Sequence, residues 1–112
     1  MSKVVELGSV LERPADRLGV FALLGLGVAE SLTSGLLSAS DSVRSFFHAD
    51  NCLFVRKRLR NKLADEIMSR GTQLPDIFDA LPIEEAQREF QHEVAAIRSL
   101  CRQLLERKRS VA

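Results

Sequence analysis

Tryptophan and tyrosine are absent, and six phenylalanines are the only aromatics in 112 residues. Surfaces that bind nucleic acid by stacking bases need exposed aromatic faces, so this composition argues against that mode. It also weakens a carbohydrate or purine pocket. Only two cysteines occur, Cys52 and Cys101, each inside an apolar helical pattern. A pair without a secretory leader is no disulfide framework, and reduced core thiols are expected. Long hydrophobic runs are missing as well. The longest covers residues 18–29, twelve positions that include three glycines, whereas a membrane span needs about twenty apolar residues. The opening MSKVVELGSV has no basic region followed by a long apolar core and a cleavage site. A cytoplasmic protein with no membrane attachment is therefore expected. Charge of one sign is not in excess either. The net charge is +1, so no global field draws the chain to polyanions.

What is present fits one folded unit, a single helical domain over residues 1–112. A chain of this length buries roughly two-thirds of its unfolded surface, enough for one core. Apolar residues make up 46% and charged residues 28%, ordinary values that speak against disorder of the whole chain. The charges are unevenly placed. Residues 1–50 hold four Lys and Arg against six Asp and Glu, and residues 51–112 hold twelve against nine. The basic excess gathers at 56–62 and 107–109.

Periodicity predicts an all-α bundle of four to five helices with a long C-terminal amphipathic helix. Residues 1–13 read as a short strand or a loose N-terminal arm. A first helix is expected over 15–33, with Pro14 in its first turn and Asp16 at the positive end of its dipole. Its apolar residues nearly encircle the axis, so it should be the most buried. Gly19, Gly25 and Gly27 each cost about 1 kcal/mol there relative to Ala, which suggests close approach of another backbone. Gly25 and Ala29 would share one small-residue face. After a turn at 33–35, a second helix is expected over 36–48. Its start is contested by Ser38, Ser40 and Asp41. A third is expected over 52–70, capped by Asp50 or Asn51 and stopped by Gly71. The second and third could also run on as one, since no Gly or Pro separates them. Pro75 opens a short helical turn to Ala80, with Ile77, Phe78 and Leu81 directed at the core.

The last helix, 82–109, carries the strongest pattern. Ile83, Phe90, Ile97 and Leu104 recur every seven residues, with Gln87, Val94 and Cys101 at the complementary spacing. This is a coiled-coil seam of three heptads. Glu84 and Glu85 suit its N-terminus, Arg107, Lys108 and Arg109 its C-terminus, and Glu84–Arg88 and Arg102–Glu106 are favourable pairs. The seam either forms the bundle core within the chain or pairs with a second copy. Phe90, Val94, Ile97, Cys101 and Leu104 are the interface residues of a homodimer in the second case.

The sharpest local feature is VRKRLRNKL at 55–63. Arg56, Lys57, Arg58, Arg60 and Lys62 would cover most of a helix surface and could meet phosphates, with steep salt dependence. They form a candidate anion or partner patch. A solvated face answered by acidic side chains elsewhere is the ordinary alternative. No helix-turn-helix, zinc-finger or basic-zipper signature surrounds the run.

Patterns for chemistry are incomplete. His48 and Cys52 have a metal-like spacing but lack two further ligands nearby. Cys52 at a helix N-terminus would have a lowered pKa, with His48 as its base. Glu89 and His92 match half of a di-iron motif without the second copy. Gly25-Leu26-Gly27 is followed by no Gly-Lys-Ser/Thr. No catalytic residue, metal or cofactor is therefore assigned. The expectation is a non-enzymatic interaction or assembly module, paired with itself and able to engage another protein. A nucleic-acid-associated regulator using 56–62 is the alternative.

Overall fold

The computed structural model describes the backbone of residues 3–111 and the side chains of residues 3–107. It is an all-α bundle closed by a long C-terminal helix. In order come α1 (Leu7–Val10), α2 (Arg17–Thr33), α3 (Ala39–Ser45), α4 (Ala49–Phe54), a π-helical turn (Val55–Leu59), α5 (Lys62–Thr72), α6 (Leu74–Ala80) and α7 (Ile83–Val111). No described helix is long and apolar enough to cross a membrane.

Each start has a local cause. The Asp16 carboxylate accepts from the Gly19 N–H at 2.9 Å and begins α2, leaving Pro14 outside the helix. Ser38 wins the contest for α3 by accepting from Asp41 N–H at 3.0 Å. Hydrogen bonds from Ser38, reinforced by Arg44, hold the Asp41 carboxyl below its usual range. Asn61 caps α5 through Ala64 N–H at 3.1 Å. The cap of α4 is His48, in place of Asp50 or Asn51: its Nδ1 accepts from Asn51 N–H at 3.4 Å. Phe46, Phe47 and His48 thus separate α3 from α4, and one continuous helix does not form.

The helix expected over 52–70 is broken as well. The Arg60 N–H reaches back five residues to the Val55 carbonyl at 3.1 Å, closing a π turn. Arg60 itself is left-handed, with φ +50°. Asn61 then returns to extended backbone and starts a new helix. No Gly or Pro announced this break.

Packing is organised by α7. Its C-terminal half lies on α2, and its N-terminal half is covered by α5 and α6. Among the described residues, no other backbone crowds the glycines of α2: an added Cβ at Gly25 would sit 2.7 Å from the Cys101 sulfur, a side-chain atom, and at Gly27 would meet nothing within 4 Å. Beside Gly25, Phe21, Ala22, Ala29 and Leu32 are buried. The helix is not buried all round, because Leu23 is 60% exposed. Gly71 does not terminate α5. It lies inside the helix, where a Cβ would fall 2.2 Å from the Phe47 ring. Phe46 joins Phe47 edge-on at 5.2 Å and stacks with Phe21 at 6.1 Å. These three rings fill the centre.

Two ion pairs tie α7 laterally. Arg70 of α5 holds both carboxylate oxygens of Glu93, at 2.9 and 3.0 Å, and also Glu66 at 2.9 Å. Its hydrogen bonds to Glu66 and then to Glu93 raise its pKa above the usual arginine value. Arg98 donates to Thr33 Oγ1 at 3.0 Å, and its Nε lies 3.0 Å from Glu30. That Nε–H is not aimed at the carboxylate, so the contact is Coulombic. Neither Glu84–Arg88 nor Arg102–Glu106 closes as an ion pair. Lys108 and Arg109, expected at the negative end of the helix, lie outside the described side chains.

The N-terminal segment is docked, neither a strand nor a loose arm. Leu7 and Leu11 are fully buried. Asn51 Oδ1 accepts from Leu7 N–H at 2.9 Å, and its Nδ2 donates to the carbonyls of Val5 and Phe46 at 2.8 Å. The Val5 N–H donates to Ser45 O at 2.7 Å.

Candidate functional site

The seam of α7 sits inside the chain. Val94, Ile97, Cys101 and Leu104 are buried, and Phe90 is only 9% exposed. Helices α2, α5 and α6 occupy the face that a second copy would need. These five residues therefore have almost no free area to offer a partner in this fold.

One end of the seam is different. Thr33, the last residue of α2, lies beside Arg98, so α2 does not reach the first turns of α7. Ile83, one heptad ahead of Phe90, is left 64% exposed. Phe78 and Leu81, expected in the core, are 38% and 36% exposed. The Phe78 ring leans on Phe90 with centroids 5.3 Å apart. Phe78 and Phe90 line a shallow hollow of about 740 Å³ rimmed by Glu84, Gln87, Arg88 and Gln91. Sequence periodicity contained the signal, since Ile83 is the first seam position. Its exposure depends on where α2 stops, which periodicity does not give.

The basic run forms a second surface. Arg56, Lys57, Arg58, Arg60 and Lys62 are all exposed. None forms an ion pair with an acidic side chain. Carboxylates stand near the run without closing an ion pair among the described residues: Asp65 borders the same hollow as Arg56, and Glu6 and Asp50 lie across a groove from Lys57 and Arg58. Val55 is buried and Leu59 half-buried, so the apolar members of the run point inward. Lys57 and Arg58 also border an open groove of about 440 Å³ between α1 and α4, whose other walls include Glu6, Gly8, Asp50, Leu53 and Phe54.

His48 and Cys52 do not act together. The His48 ring is spent on the N-terminal segment, with Nε2 3.0 Å from the Val5 carbonyl and Nδ1 accepting from Asn51. This arrangement fixes the tautomer with its proton on Nε2. The Cys52 thiol donates instead to Phe47 O at 3.7 Å. Burial pushes its pKa up, and Asp65 adds to the rise against the opposing pull of Arg56. A helix-lowered thiolate is therefore not found. Burial also pushes the Cys101 thiol up to about 12. Glu89 and His92 are both exposed, on the outer face of α7. Among the described residues, no group of three or more His, Cys, Asp or Glu could hold a metal ion.

Compared with known proteins, the chain matches no family model, no curated protein and no solved structure.

Proposed function

We propose that this protein is a non-enzymatic assembly module that pairs with a second copy of itself through the open end of the α7 seam. The observation that carries this reading is Ile83, a seam residue 64% exposed where its own fold has no helix to cover it. Phe78 and Leu81 extend the apolar area around it. The rim is self-complementary. Glu84 and Arg88 are one turn apart beside the hollow, and neither closes an ion pair among the described residues. When the first turns of two α7 helices cross antiparallel about a two-fold axis, each Glu84 meets the other copy's Arg88. The area is small, so association is transient, with Kd in the micromolar range or weaker.

Sedimentation velocity tests this between about 10 μM and about 1 mM, a range that brackets weak pairing. The sedimentation coefficient is expected to rise with concentration, and Ile83→Glu to abolish the rise with unchanged helical circular dichroism. A monomer across the whole range overturns the reading.

A further inference from the structure

Five cations stand on seven consecutive residues, 56–62, and none closes an ion pair among the described residues. We propose that this basic collar is a binding site for the phosphate backbone of a nucleic-acid duplex, independent of base sequence.

Three observations carry it. The first is charge density. Five of seven consecutive side chains are cationic and exposed, and a duplex carries about one negative charge per 1.7 Å of its axis, so several contacts can form at once. The second is conformation. A π turn closed by a left-handed residue suits glycine or asparagine at the last position, where an L side chain costs about 1 kcal/mol. This chain places Arg60 there, at φ +50°. Strain held at an exposed, unpaired cation stabilises nothing within the fold, and such outliers gather at binding sites. The turn also spreads the run: Arg60 and Lys62 lie beyond the break, on a different path from Arg56, Lys57 and Arg58.

The third observation is what surrounds the charges. Phe21, Phe46, Phe47 and Phe90 are buried, and Phe54 is half-buried. Phe54, in the groove beside Lys57 and Arg58, is the one ring placed against the collar among the described residues, and a single half-buried ring is no platform for successive unstacked bases, which favours a duplex over a single strand. Val55 and Leu59 turn inward, so the apolar surface beside the collar is confined to Leu53 and part of Phe54, a small centre for a protein partner. Contacts from Lys and Arg to phosphates position a protein without reading sequence. Leu53, 47% exposed one turn earlier, makes an anionic lipid surface the competing polyanion.

Fluorescence anisotropy with the full chain and a labelled duplex of about 20 base pairs tests the proposal, against vesicles of mixed phosphatidylcholine and phosphatidylserine. With four to five phosphates neutralised, log K falls against log salt with a slope near −4. Affinity then drops roughly 250-fold between about 50 and 200 mM KCl. Arg56→Gln with Arg58→Gln reduces the slope by about 2, and Arg60→Gly, which fits the left-handed backbone, reduces it by about 1. Changing the duplex sequence leaves K within about threefold. Three results overturn the proposal: no duplex binding at the lowest salt, a slope unmoved by these substitutions, or binding of the vesicles but not the duplex. All three side chains are exposed, so circular dichroism separates lost binding from lost fold.

Discussion

Asn51, 2% exposed, holds Leu7 across 44 residues of chain by accepting its N–H at 2.9 Å. The same amide donates to Val5 and Phe46, so one buried side chain satisfies three backbone groups of two segments. Asn51→Ala leaves the Leu7 N–H and the Phe46 carbonyl without this partner, while the Val5 carbonyl keeps His48 Nε2. A loss of about 2–4 kcal/mol is expected in urea unfolding, with faster proteolysis near Val5. Asn51→Asp is at least as damaging, because a carboxylate cannot donate to the two carbonyls. A variant of either kind with wild-type stability contradicts this latch.

Gly25 and Cys101 are coupled by contact. Gly25→Ala forces a methyl toward a sulfur that would be 2.7 Å away, and is expected to cost about 1–3 kcal/mol. Adding Cys101→Ala removes the sulfur and opens the space. A double-mutant cycle should give a favourable coupling of about 1 kcal/mol or more, and strict additivity would show the two sites to be independent.

Gly71→Ala is the harsher change. The atoms opposing its Cβ belong to the Phe47 ring at 2.2 Å, and that ring is fixed edge-on by Phe46. A loss of about 3 kcal/mol or more is expected by thermal or urea unfolding.

The thiols give a pH dependence. Burial raises the Cys101 pKa from an ordinary 9.0 to about 12. Its stabilising contribution is therefore intact below about pH 9 and is lost as pH climbs toward 12, by up to about 4 kcal/mol. Cys101→Ala should flatten that part of the stability profile. In the folded chain, Cys101 should resist an aromatic disulfide reagent until urea exposes it, and Cys52, also raised, should react more slowly than in the unfolded chain.

Arg60→Gly should stabilise the fold by a few tenths to about 1 kcal/mol, because glycine accepts φ +50° without a Cβ clash. Arg60→Val should destabilise by a similar amount or more, since a β-branched residue tolerates that region poorly. Equal stability of the two in urea titrations would remove the strain from the account.

The parts of the fold legible in sequence are those set by near neighbours. The seam of α7 and the apolar pattern of α2 come from 3.6-residue spacing, and Asp16 sits at its cap because a short carboxylate reaches Gly19 N–H. What sequence concealed depends on distant partners. The break at Arg60 carries no Gly or Pro, and His48 caps α4 only because Val5 holds its other ring nitrogen. The N-terminal residues look unattached until Asn51 arrives from 44 positions away. At the candidate surfaces, periodicity marked the whole seam as a possible interface. Only the end of α2 beside Arg98 distinguishes covered Phe90, Val94, Ile97, Cys101 and Leu104 from open Ile83. The basic run was plain, but its lack of closed ion pairs was a fact of three dimensions.

The pairing of α2 with α7 joins residues some 65 positions apart, as in the bond from Arg98 to Thr33. During synthesis, Phe21, Ala22, Gly25 and Ala29 leave the ribosome long before the stretch around Ile97 and Cys101 that covers them. The nascent chain must carry a bare apolar helix until that later stretch has emerged to cover it. A polypeptide truncated before that stretch is therefore expected to be a client for chaperones or proteases.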